Sequence, residues 1–103
     1  MNSQFEIKLI IPTNAARTKI AVIEHDLVTY FGGFTRQEGY GAWSDGVEEI
    51  TEDVYIYFAS TDLPENTLIP LLVEFRKDYK QLLNQQAIYI SVTKLNSKLK
   101  VVE

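Results

Sequence analysis

The chain has 103 residues, 46% of them hydrophobic and 12% aromatic, enough for one packed core spanning 1–103 and too few for a second domain. It contains no cysteine, which excludes disulfide frameworks, thiolate zinc sites, iron–sulfur clusters and cysteine nucleophiles. A formal charge of −4 argues against general binding of nucleic acid or anionic membranes, which needs clustered lysine and arginine.

The start, Met1 to Glu6, lacks a secretory pattern, and no apolar run approaches the ~18 residues that span a bilayer, so the expected location is the cytoplasm. Phe5, Ile7, Leu9 and Ile11 alternate with Glu6 and Lys8, the pattern of a half-buried strand that Pro12 stops. Thr13 or Asn14 is placed to cap a helix over Ala15 to Phe31, whose apolar stripe is Ala16, Ile20, Ile23, Leu27 and Phe31. Gly32-Gly33 ends that helix.

Phe34 to Trp43 is aromatic but interrupted by Gly39 and Gly41, which predicts an edge strand with a bulge or a close backbone approach. Asp45-Gly46 supplies a hairpin turn into Val54 to Ala59, the most strongly β segment and the expected central strand. Leu68, Leu72, Phe75, Tyr79 and Leu82 then mark a second amphipathic helix. Pro70 implies a start near Thr67, or a kink if the helix begins near Pro64. Ala87 to Leu95 is the last major strand, with Ile88, Ile90 and Val92 inward, and Asn96-Ser97 can turn the chain into a short extra strand, Leu99 to Val102.

Strand, helix, two strands, helix, strand is the ferredoxin-like βαββαβ arrangement: an α+β fold with a four-stranded antiparallel sheet, order 4-1-3-2, and two helices on one face. Charge is unevenly distributed along it. Residues 1–36 carry +1, residues 37–75 carry −9 with no lysine or arginine, and residues 76–103 carry +4. In the expected sheet order the acidic hairpin and Lys94, Lys98 and Lys100 fall at opposite edges, a lateral polarity that suits solvation or edge-to-edge docking.

No nucleophile elbow, phosphate loop, zinc motif, calcium loop or dinucleotide fingerprint is present, and nothing in the pattern calls for a cofactor or a metal. His25, the single histidine, falls off its helix stripe and is expected to be exposed. The dense pattern is Phe31-Gly32-Gly33-Phe34-Thr35 followed by Gly39-Tyr40-Gly41-Ala42-Trp43. Its glycines let a backbone approach a ligand while Tyr40 and Trp43 stack on it, with Arg36 close by; the competing reading makes the glycines a cap and a bulge and Trp43 a plug for the core.

That pattern, with the acidic hairpin and aromatic strand after it, resembles a loose group of small, uncharacterised bacterial and bacteriophage proteins with ferredoxin-like folds, over residues 28–60. The resemblance implies an accessory protein and carries no functional residue with it.

Tyr55, Tyr57 and Tyr89 are expected on the uncovered sheet face beside Lys8 and Ile10. Such aromatics suggest base stacking, but Glu52-Asp53 would repel phosphate, so a contact between subunits is the preferred reading. The sequence thus reads as a non-enzymatic, self-associating binding or regulatory protein that engages a small molecule or protein through Gly39 to Trp43 and the acidic hairpin. The alternative is a small enzyme of the dimeric α+β barrel type, with a tyrosine-lined pocket between subunits.

Overall fold

The structure, a computed structural model, describes residues 4–95. Its elements are β1 (Phe5–Pro12), α1 (Arg17–Phe31), β2 (Thr35–Ser44), β3 (Glu49–Thr61), α2 (Glu65–Leu82) and β4 (Tyr89–Lys94). The four strands form one antiparallel sheet in the order β2-β3-β1-β4, which is 4-1-3-2 counted from the other edge. The segment expected to form an extra strand, Leu99 to Val102, lies outside the described residues.

Alternation along β1 sets the two faces. Phe5, Ile7, Leu9 and Ile11 are buried and join Ile20, Ile23 and Leu27 of α1 and Leu68, Leu72, Phe75 and Tyr79 of α2 in a single cluster, so both helices cover the same side. Between the helices, the Phe75 ring meets Tyr30 and Phe31 edge-on, with centroids 5.3 and 6.1 Å away. Among the described residues no helix is long and apolar enough to cross a membrane.

Local chemistry explains the element ends. Gly32 caps α1 in the left-handed conformation, φ 83°, with its N–H on the Val28 carbonyl. The helix starts two residues later than Ala15, with Ala16 at the cap, and neither Thr13 nor Asn14 supplies a side-chain cap. α2 begins at Glu65, so Pro70 falls inside it and withholds the N–H that the Asn66 carbonyl would receive. At its far end Asn84 takes φ 52° and donates to the Gln81 carbonyl, while Gln85 donates to that of Lys80. This left-handed stop redirects residues 84–88 toward the sheet.

Two expectations about the strands are corrected. β2 and β3 stay in unbroken register from Thr35 opposite Phe58 to Ser44 opposite Glu49, so no bulge occurs. The glycine need is one of space, because a Cβ at Gly39 would lie 2.8 Å from Ile56 Cδ1 and 3.3 Å from Val54 Cγ2. Tyr55 and Tyr57 pair with Ile11 and Leu9 and therefore face the helices, leaving only Tyr89 of the three tyrosines on the open face, opposite Ile10. Tyr57 is 1% exposed. The three therefore do not share the single face on which a subunit contact was expected.

Candidate functional site

The open face of the sheet carries Lys8 and Ile10 of β1, Val54, Ile56 and Phe58 of β3, and Trp43 at the β2 edge. Because Gly39 and Gly41 present no side chains there, Val54 and Ile56 spread toward the edge and the Trp43 ring leans back over Gly41. A Cβ at Gly41 would sit 3.5 Å from that ring, an ordinary contact.

These features bound a groove of about 820 Å³. Ile10, Val54 and Ile56 make its floor, Trp43 one wall, and Tyr89 with the 84–88 segment the other. Trp43 is 45% exposed and Tyr89 is 52% exposed, so the tryptophan is a wall and not a plug for the core. Tyr40, more exposed still, leaves β2 on the opposite face from Trp43 but borders the same groove. A volume of this order suits a small organic ligand, and flat aromatic walls suit a flat ligand ring.

A second, smaller cleft of about 480 Å³ opens on the helix side, lined by Thr13, Arg17, Glu24, Arg36 and Tyr55 among others. Glu24 Oε2 accepts from Arg36 Nη1 at 2.7 Å and from the Tyr57 hydroxyl at 2.6 Å. The Arg36 guanidinium also lies over the Tyr55 ring, 4.4 Å from its centroid. Burial first, and then the bond to Glu24, push the Tyr57 phenol well above its ordinary pKa. Burial and the bond to Asp26 at 2.8 Å do the same to Tyr79. The hydrogen bonds to Glu24 and Tyr57 raise Arg36, keeping its charge fixed.

The structure therefore divides the residues singled out from sequence. Tyr40, Gly41 and Trp43 meet at the groove, Gly39 lies beneath its floor, and Arg36 belongs to the helix-side cleft on the other face. Sequence reasoning named Glu52 only as part of the acidic hairpin, and it missed Glu24 and the 84–88 segment. Only the last left a signal, the asparagine placed just after a helix. His25 is exposed, and among the described residues no group of three acidic or histidine side chains is placed to hold a metal ion.

The elements thus form a βαββαβ α+β sandwich, with one sheet face covered by both helices and a groove on the other. No protein-family model matches this sequence, and no curated protein matches it either. Among solved structures it is similar in fold to a phage SAM lyase in complex with S-methyl-5′-thioadenosine, with a TM-score of 0.65 and 10% identity over 91% of this chain and 83% of that one. The phage SAM lyase in its apo state gives a TM-score of 0.69 and 9% identity, over 89% and 81%.

Proposed function

We propose that this protein binds a small adenosyl ligand, S-adenosylmethionine or its thioether product, in the open-face groove. The observation that carries the reading is the aromatic-walled groove itself, bounded by Trp43, Tyr40 and Tyr89 over an aliphatic floor. A purine would stack on a wall of this kind while the sugar and chain lie over Ile10 and Ile56. The fold shared with the phage SAM lyase, solved in complex with S-methyl-5′-thioadenosine, supplies the ligand class.

The fold is in this reading ferredoxin-like, and the two solved structures named above are of a phage protein. The chain would act as a cytoplasmic, self-associating accessory protein. Binding without turnover and a lyase reaction are the two forms the function can take, and the second no longer draws on a tyrosine pocket, since Tyr57 lies in the core.

Calorimetric titration with S-adenosylmethionine and S-methyl-5′-thioadenosine tests the reading. Saturable binding to the native chain, lost in Trp43→Ala with the fold intact, is expected; no heat with either ligand would refute it. Release of S-methyl-5′-thioadenosine from S-adenosylmethionine over time then separates enzyme from binder.

A further inference from the structure

Among the residues lining the groove, Glu52 alone is charged. It stands directly opposite Gly41, so no cross-strand side chain covers its carboxylate, and Trp43 is its diagonal neighbour on the same face. Glu52 is half-buried and, among the described residues, makes no hydrogen bond or ion pair. Across the groove Lys8 holds its ammonium 5.7 Å from the centre of the Tyr89 ring. The groove is thus electrically polar, negative beside the indole and positive beyond the opposite tyrosine.

We infer that Glu52 and Trp43 together form a subsite for a compact onium cation, and that Glu52 selects a sulfonium ligand over the neutral thioether of the same shape. The inference rests on the ligand class proposed above and adds to it the residue that reads charge. An aromatic face attracts a poorly hydrated cation, and an unpaired carboxylate beside it adds a Coulomb attraction that a neutral sulfur does not feel. Lys8 opposes a cation at the other end, so the charge has one favourable seat.

The decisive pair of ligands is S-adenosylmethionine and S-adenosylhomocysteine, which differ by one methyl group and its positive charge. Trp43 is the only tryptophan, so its fluorescence reports the groove directly. The native chain should bind the sulfonium about five- to tenfold more tightly, and Glu52→Gln should abolish that preference while leaving affinity for the thioether unchanged. Equal affinities in the native chain, or an equal loss of both ligands in Glu52→Gln, would overturn the inference.

Trimethylsulfonium alone separates this claim from the adenosyl reading. If neither nucleoside binds but trimethylsulfonium perturbs Trp43 in the native chain and not in Glu52→Gln, the onium subsite stands and the adenosyl reading falls. If none of the three ligands binds, both fall. Unchanged thermal unfolding of Glu52→Gln shows that the variant is folded.

Discussion

The Tyr57 hydroxyl, in the middle of the central strand β3, donates to Glu24 Oε2 on α1 at 2.6 Å, tying helix to sheet through the same oxygen that Arg36 of β2 holds. Removing the donor and removing the acceptor are therefore unequal changes. Tyr57→Phe leaves Glu24 with its arginine and should cost about 1–2 kcal/mol. Glu24→Ala strands a buried hydroxyl as well as freeing Arg36, and should cost more, up to about 3 kcal/mol. The double variant should lose less than the sum of the two, because each change breaks the same bond. Urea unfolding of the three variants checks the order; additive losses would mean that the bond contributes nothing.

Alkaline pH should unfold this protein through the same phenols. Tyr57 and Tyr79 have folded pKa values raised above the ordinary 10.0, chiefly by burial. Above pH 10 the unfolded chain releases these protons while the folded chain retains them, so stability is full below that pH and falls as it is exceeded. Tyrosinate absorbance should accordingly rise in a step that coincides with loss of helical circular dichroism. In Tyr57→Phe/Tyr79→Phe that step should shrink by two phenols, and a step unchanged in size would count against the assignment.

How far these features were legible in the sequence depends on where patterning was one-sided. Phe5, Ile7 and Leu9 alternate with the charged Glu6 and Lys8, and Leu68 to Tyr79 follows a helical step, so their inward faces could be read directly. Val54-Tyr55-Ile56-Tyr57-Phe58-Ala59 is apolar or aromatic on both sides, and alternation cannot say which set faces the helices. The tyrosines took the inner side because Glu24, distant in sequence, satisfies the Tyr57 hydroxyl and Arg36 stacks on Tyr55. Tyr40, Gly41 and Trp43 were legible as a unit because they share a strand. The opposite wall arrives through a turn after α2, a tertiary relation that no local spacing encodes.

The two β2 glycines should respond differently to alanine. At Gly39 the new methyl group would meet Ile56 Cδ1 at 2.8 Å, and Ile56 must rotate away and into the groove. That rotation should cost about 0.5–1.5 kcal/mol and weaken ligand binding, since Ile56 is part of the floor. At Gly41 the methyl group meets the indole at ordinary contact distance, so Gly41→Ala should keep stability near native. Thermal unfolding and ligand titration of both variants test the contrast. Equal behaviour would show that the glycines are not needed for space.

The proposed self-association has a salt dependence that tests both whether it occurs and whether it uses an edge or a face. The β2–β3 hairpin puts Glu38, Asp45, Glu48, Glu49, Glu52 and Asp53 at one edge of the molecule, while β4 puts Lys94 at the other. Docking of opposite edges is Coulombic and exposed, so raising salt from about 0.05 M to about 1 M, which shortens the screening length to roughly 3 Å, should dissociate it. Docking through the open face would instead bury Ile10, Ile56 and Phe58, and high salt would leave such a contact intact or tighten it. We expect sedimentation to show assembly that weakens as salt rises, and Lys94→Glu to weaken it further at low salt. Assembly that persists at high salt would move the contact to the open face and over the groove, and a monomer at every salt concentration would remove self-association altogether.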